Sequence, residues 1–488
     1  VNVRRQATVI AIGVLCGVAA AWGWSTWKRA QQRPNVVLII GCTLRKDQLT
    51  PYGGHPEATP FLQRWAEEGA IFADAFTNGA WTKVGSTALL TGQHPVSIGM
   101  VEPGDGGNRK VLPPEVTTLA ERFHDAGYFT AGLTANPNLN RIFGFDQGFD
   151  QYFEANGFRE LRDEKIDGGR VVDEAMTFLD GRPTDRPAYL QVLLIDAHQP
   201  ARVRPAEAAP YQTEDAPVRV AEYRALLRRF DEAVENLHGQ LRARGFTDAN
   251  TVTALVNDHG EGLRWPHHHG IAHGNFLYPS VVGMVWLLRG PGVPAGRVVD
   301  GLAQQIDVVP TLLSLAGLPA SDGPGVDRAP AVRGDQAETG EQRIFVDTWF
   351  QFSNKAAVYT PDRMCEHNWR EKIPGPPVQC FDRASDPYFR RPTTPEGDPL
   401  VAALDAWRAA RVADYAAWPH TTNAVINEDL RAQLEALGYA QGDAADAPGD
   451  PEAPTADAPG RVRLKRRTAR AERRGLLDEE PAPEPAAP

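Results

Sequence analysis

The chain has 488 residues, a net charge of −11 and 42% hydrophobic residues. That length exceeds one small domain and supplies a large core plus a second lobe, and the acidic balance argues against a nucleic-acid partner. Its four cysteines, Cys16, Cys42, Cys365 and Cys380, are too few for a disulfide scaffold and lack zinc-finger spacing.

Residues 1–6 form a short basic tail with Arg4 and Arg5. Residues 7–27 carry no charge and end in Trp22, Trp24 and Trp27. Two readings fit. The length matches the hydrocarbon core of a bilayer, and tryptophan suits its interface. Ala19-Ala20-Ala21 would instead serve a signal peptidase. The run is long for a signal segment, so a retained transmembrane anchor is favoured. Either reading puts the remainder outside the cytoplasm, in a periplasm or at a cell surface. Residues 28–34 then form a linker.

Val36 to Ile40 is apolar throughout and reads as a strand buried on both faces. It runs into Cys42. Phe61 to Gly69 reads as helical and Ile71 to Ala75 as extended. Between Gly79 and Gly92, Thr82, Ser86 and Thr87 fall where a helix would begin. Such a terminus offers free N–H groups to an anion, although a plain Ser/Thr cap has the same signature. Thr117 to Ala126 follows as an amphipathic helix, Thr130 to Thr134 as a strand, and Phe143 to Asp150 as a Gly/aromatic loop. Ala188 to Ile195 is a buried strand that delivers Asp196 and His198. Tyr223 to Arg244 is a long amphipathic helix feeding the strand Thr251 to Asn257. That strand ends in Asp258-His259, and His267, His268, His269 and His273 follow in a loop. Val281 to Leu288 reads as one more strand.

Strands alternating with helices predict an α/β fold, a mostly parallel sheet with helices on both faces. Ligands of such sheets bind beyond the carboxyl ends of the strands. Three strands here end in residues of catalytic type: Cys42, Asp196 with His198, and Asp258 with His259. A carboxylate beside an imidazole, with further imidazoles in loop reach, suits a divalent metal or an oxyanion.

The order of segments resembles the sulfatase family, within the alkaline-phosphatase-like superfamily of metal-dependent sulfate and phosphate ester hydrolases. The matching pieces are Pro34 to Ile39 with Leu44 to Asp47, Thr59 to Leu62 with Glu68-Gly69, and Trp81-Thr82 with Leu89 to Gly92. They continue with Asp196 to Pro200, Asp258 to Glu261, His273-Gly274, Asp307 to Leu313, and Phe381-Asp382 with Asp386-Pro387. The resemblance spans roughly Pro34 to Ala440. It implies a nucleophile at the start of a helix and one or two metal ions, usually calcium, that activate it. The aligned nucleophile is Thr82, so no formylglycine is expected. The chain departs from the family where an Asp metal ligand becomes Cys42, and where Pro-Ser-Arg/His after the nucleophile becomes Val84-Gly85-Ser86. A thiolate is a poor calcium ligand and binds zinc or other softer metals, so zinc or manganese could take the place of the family's calcium.

The resemblance therefore implies Thr82 and His198 as catalytic residues, with His198 touching the ester or leaving-group oxygen. Asp258, His259 and Cys42 would hold one divalent metal ion. Arg45, His269 and His273 are the substrate-binding candidates, although Arg45 and Asp47 also suit a supporting, structural role. Residues 35–341 would form the catalytic domain and 342–440 a small antiparallel α+β subdomain with a helix over Val401 to Ala416. In an oxidising compartment Cys365 and Cys380 could pair. Asn427 to Tyr439 reads as a last short helix. Residues 441–488 have the composition of a disordered tail, and a basic run from Arg461 to Arg474 within it reads as a solvated segment or a contact for anionic lipid. Two functions follow. One is a membrane-anchored hydrolase of sulfate or phosphate esters with Thr82 as nucleophile. The other is a catalytically impaired member acting as a binding or scaffold component.

Overall fold

A computed structural model of the chain describes residues 33–101, 109–155, 168–199, 203–266, 272–335, 343–350, 353–370, 376–418, 421–437 and 439. The expected anchor at 7–27, His267, His268, His269 and the tail at 441–488 lie outside these residues. Among the described residues, no helix is long and apolar enough to cross a membrane.

The first strand, β1 (Asn35–Gly41), lies near the middle of an eight-stranded sheet. Its neighbours are β2 (Ala70–Phe76), β3 (Phe129–Thr134), β4 (Gln151–Glu154), β5 (Ala188–Leu194), β6 (Thr251–Asn257), β7 (Trp286–Arg289) and β8 (Arg297–Gln304). The order across the sheet is β4-β3-β5-β1-β6-β7-β2-β8. β1 pairs in parallel with β5 and β6, and Gly41 lies opposite both Leu194 and Asn257. Three strands thus end on the same line. That register aligns Cys42, His198 and Asp258 at one edge.

One expected strand is corrected. The run from Val281 does not continue as a strand. Pro279–Val282 forms a one-turn helix, and the strand proper is Trp286–Arg289. Pro279 sits in the first turn of that helix, where its fixed φ is pre-set for helix and its missing N–H costs nothing. The strand is also antiparallel to both β6 and β2, the one such direction among these eight strands.

Helices α1 (Pro60–Glu67), α2 (Thr82–Thr91), α3 (Leu119–Asp125), α4 (Gly168–Asp180), α5 (Val218–Ala243) and α6 (Val308–Leu315) accompany the sheet. α5 starts five residues earlier than its apolar spacing predicts, and it buries Leu227, Phe230, Val234 and Leu237. From this helix Asp231 accepts the Phe61 and Leu62 N–H groups at 2.9 Å each, so α1 is capped by another helix instead of by Thr59. Thr59 spends its hydroxyl on the Thr50 N–H.

The remaining strands, β9 (Ile344–Phe350), β10 (Ser353–Tyr359), β11 (Arg363–Asn368) and β12 (Val378–Asp382), form a separate antiparallel sheet. Cys365 and Cys380 face each other across β11 and β12 and are joined by a disulfide. α7 (Pro399–Ala417) packs on β10 and β11. The last helix, α8 (Glu428–Ala436), begins at Asn427, whose side chain accepts the Leu430 N–H at 2.8 Å. It packs against the turn Pro137–Leu139 at the carboxyl edge of the large sheet.

Candidate active site at the carboxyl edge of the sheet

Thr82 opens α2, and Trp81 before it is extended, so the hydroxyl points from a helix start with no carbonyl to bond. Its Oγ1 lies 3.2 Å from His259 Nε2 and 3.6 Å from Cys42 Sγ. The helix comes this close to β6 because of Gly85. A Cβ there would stand 2.2 Å from the Asp258 carbonyl oxygen. Gly85 therefore permits a close backbone approach between α2 and the residue that follows β6. Ser86 is fully buried.

Asp258 and His259 are fully buried. Asp258 Oδ1 accepts the backbone N–H groups of Thr43 at 3.0 Å and His259 at 2.8 Å. Its Oδ2 is buried with no hydrogen-bond partner. His259 Nδ1 lies 2.8 Å from the Gly260 carbonyl, which can only accept, so Nδ1 carries the hydrogen and Nε2 is left with its lone pair. Burial pushes the His259 pKa down to about 4, so the ring is neutral near pH 7. The Nε2 lone pair and Asp258 Oδ2 are only 3.4 Å apart. Two electron-pair donors facing each other in a dry site call for a cation between them. Cys42 Sγ completes a cluster in which all three ligand atoms lie within 4.8 Å of one another. Burial, reinforced by the Asp258 charge, raises the Cys42 thiol well above its ordinary value, so the thiolate itself needs a neighbouring cation. The donor set fits a divalent metal. One sulfur and one imidazole nitrogen suit a softer ion such as zinc better than they suit calcium.

The other expected residues divide. His198 and His273 both come to the site, and His273 Nδ1 is oriented by Glu261 Oε2 at 3.3 Å. The loop carrying His273 is tied down by Gly274, whose N–H donates to the Ala80 carbonyl at 2.8 Å and whose carbonyl accepts from Thr348. Gly274 has φ +92, and a Cβ on it would meet the Phe350 ring at 2.4 Å. Asp196 takes another task, accepting the Gly168 N–H at the start of α4. Arg45 is fully buried. It is paired with Asp47 at 2.7 and 2.9 Å and donates to the carbonyls of Gly262 (3.0 Å) and Trp265 (2.5 Å). This guanidinium braces the loop after Asp258.

Two site residues escaped the sequence reading. Asn136 Nδ2 donates to Cys42 Sγ at 3.3 Å and to Thr82 Oγ1 at 3.4 Å. It follows the end of β3, so the strand-end rule that selected Cys42 would have found it too. Tyr439, just beyond α8, places its hydroxyl 2.7 Å from Thr82 Oγ1 and 3.3 Å from both His198 Nε2 and His273 Nε2. No local pattern in the sequence signals it.

The carboxyl edge of the sheet thus sets a helix-borne hydroxyl beside a compact cluster of potential metal ligands, on the fold of the sulfatases. Residues 34–318, more than half of the chain, match the family model described as Sulfatase, and the protein belongs to the sulfatase family. It is 23% identical over 455 residues to the Delta 4,5-hexuronate-2-O-sulfatase of Bacteroides thetaiotaomicron, covering 82% of this chain and 91% of that one. It is 26% identical over 374 residues to the N-acetylgalactosamine-6-sulfatase of Canis lupus familiaris, covering 65% and 72% of the two chains. Among solved structures it superposes on the phosphonate monoester hydrolase of Agrobacterium radiobacter with a TM-score of 0.61 at 18% identity, covering 79% and 96%.

Proposed function

We propose that this protein hydrolyses sulfate esters of sugars, with Thr82 as the nucleophile and a divalent metal held by Cys42, Asp258 and His259. The observation that carries the reading is the position of Thr82 Oγ1 at a helix start, 3.2 Å from His259 Nε2, which itself lies 3.4 Å from the unpartnered Asp258 Oδ2. A metal ion bound by those three residues would lower the pKa of the Thr82 hydroxyl, an otherwise poor nucleophile. Thr82 Oγ1 then bonds to the sulfur as the bond from sulfur to the sugar oxygen breaks, and the sugar oxygen takes up a proton. His198 and His273 face that position through their Nε2 atoms, and each donates to an ester oxygen when its ring carries both protons. Glu261 keeps the His273 ring in place for this. Water then attacks the sulfur, releasing sulfate and restoring Thr82. Asn136 donates towards the Thr82 oxygen and the Cys42 sulfur, steadying both as negative charge develops.

The sugar substrate is inferred from the hexuronate and N-acetylgalactosamine sulfatases that the chain resembles. The test is a panel of sulfated saccharides, 4-nitrophenyl sulfate and 4-nitrophenyl phosphate, run with zinc, manganese or calcium on wild type and Thr82→Ala. Turnover that vanishes in Thr82→Ala while the fold and metal content stay intact supports the assignment. Unchanged turnover removes Thr82 from the mechanism. A wild type that binds metal and turns over nothing points instead to a fold kept for binding.

We also place the protein outside the cytoplasm, anchored through residues 7–27. The Cys365–Cys380 disulfide supports an oxidising compartment, and the uncharged run supports the anchor. Carbonate washing of membranes is the check. Retention in the membrane pellet agrees with an anchor, and release into the wash overturns it.

A further inference from the structure

The hydroxyl of Tyr439 sits where the substrate has to be. It touches Thr82 Oγ1, His198 Nε2 and His273 Nε2 at 2.7, 3.3 and 3.3 Å, and these are the three groups that should surround a transferring sulfuryl group. The ring behind it is walled by Trp81 and Phe350, each 6.4 Å away between centroids, and the residue is 3% exposed. An oxygen hydrogen-bonded to the nucleophile at 2.7 Å leaves no room for sulfur or phosphorus to approach that oxygen. A tyrosine serving as an acid or a binding group would stand beside the attack path, not in it.

The element that brings Tyr439 is tied down at its start, where the Val111 N–H donates to the Thr422 carbonyl at 3.0 Å and the Ala424 N–H to the Arg109 carbonyl at 2.8 Å, and is held beyond that by side-chain packing. α8 docks through one stripe, Leu430, Leu434 and Leu437, while most of its other residues are exposed. The Tyr439 N–H is tied to the Leu434 carbonyl at 2.9 Å, so side chain and helix move as a unit. The helix rests on the turn Pro137–Leu139, directly after Asn136. Lifting it would uncover the hydroxyl of Thr82 and leave the large sheet unchanged.

We propose that α8 and Tyr439 form an autoinhibitory strap, with the tyrosine ring and hydroxyl plugging the site until the helix lifts. A tetrahedral oxyanion and the tyrosine then compete for one position. If the open state is populated at about 1–10%, apparent anion binding in the wild type is roughly 10- to 100-fold weaker than in an unplugged protein.

The test measures binding of inorganic phosphate by calorimetry, and turnover of 4-nitrophenyl sulfate, in the full chain as purified. Tyr439→Ala should tighten phosphate binding about 10- to 100-fold and raise kcat/KM in step. Tyr439→Phe keeps the ring and should move both by less. Leu434→Gln loosens the helix without touching the site and should shift phosphate binding in the same direction, which serves if Tyr439→Ala does not fold. Phosphate affinity unchanged in both Tyr439→Ala and Leu434→Gln overturns the proposal. So does turnover lost in Tyr439→Phe with phosphate affinity unchanged, because the hydroxyl would then be a catalytic group. The kinetic arm rests on the reading of Thr82 as nucleophile, whereas the binding arm does not. Adding Thr82→Ala to Tyr439→Ala separates them: tight phosphate binding without turnover upholds both, and turnover that survives sinks the nucleophile while the strap stands.

Discussion

Replacing Asp258 by Asn should make the metal-free protein more stable and the metal-supplied protein less so. Asp258 Oδ1 accepts two backbone N–H groups, at 3.0 and 2.8 Å, and an amide oxygen keeps both. Oδ2 has no partner, and it faces the His259 Nε2 lone pair at 3.4 Å. An amide NH2 in that place becomes a donor to the same nitrogen. A buried acceptor left unsatisfied costs about 1–3 kcal/mol, and the substitution removes that cost. It also removes one of the three proposed metal ligands. With metal at a hundred times its dissociation constant, the wild type gains about 2.7 kcal/mol that Asp258→Asn should largely lack. Scaling the unfolding entropy per residue to roughly 400 ordered residues gives about 1 °C per kcal/mol. Thermal unfolding with chelator should therefore place Asp258→Asn roughly 1–3 °C above wild type. Adding zinc or manganese should raise wild type by about 3 °C, moving Asp258→Asn far less. The reasoning fails if the variant melts below wild type in chelator, or if metal raises both proteins equally.

Gly85→Ala would drive a Cβ to 2.2 Å from the Asp258 carbonyl oxygen. Helix α2 must then back away from the site, and displacement of Thr82 by about 1 Å should cost on the order of 100-fold in kcat with the protein still folded. Asp347 is buried on β9 opposite Arg408 of α7, and burial pushes its carboxyl from 3.8 up to about 7 despite that cation. The folded state thus holds a proton that the unfolded state releases first. The associated stability is complete below about pH 4 and lost as pH rises through about 7, amounting to roughly 4 kcal/mol. Asp347→Asn should flatten that loss, as urea unfolding at pH 5 and pH 8 would read out. The Cys365–Cys380 bridge closes a loop with a sequence separation of 15. Replacing both cysteines by alanine should destabilise the small sheet by about 3 kcal/mol, measurable as a lower denaturant midpoint under oxidising conditions.

Strands β1, β5 and β6 were legible because burial on both faces demands uninterrupted apolar runs, a local property of sequence. The rule that parallel sheets bind ligands past their carboxyl ends then carried Cys42, His198, Asp258 and His259 to one edge. The Thr82 hydroxyl at a helix start was likewise readable from its neighbours. Other features depend on how distant segments pack. The boundary of β7 is decided by Pro279, which turns an apolar run into helix before the strand. Arg45 looks like a binding residue by type, yet its guanidinium is taken by Asp47 and two loop carbonyls. Asp231 caps a helix from another helix, which no reading of the residues before α1 reveals. Tyr439 depends on the docking of a three-leucine stripe at the far end of the described chain. Apolar periodicity and strand-end chemistry are written residue by residue, so the sequence alone determined the sheet and most of the candidate metal-ligand cluster. Register and helix docking are summed over many weak contacts between remote segments, so only the tertiary structure decided which lone pairs face each other and which hydroxyl fills the space in front of Thr82.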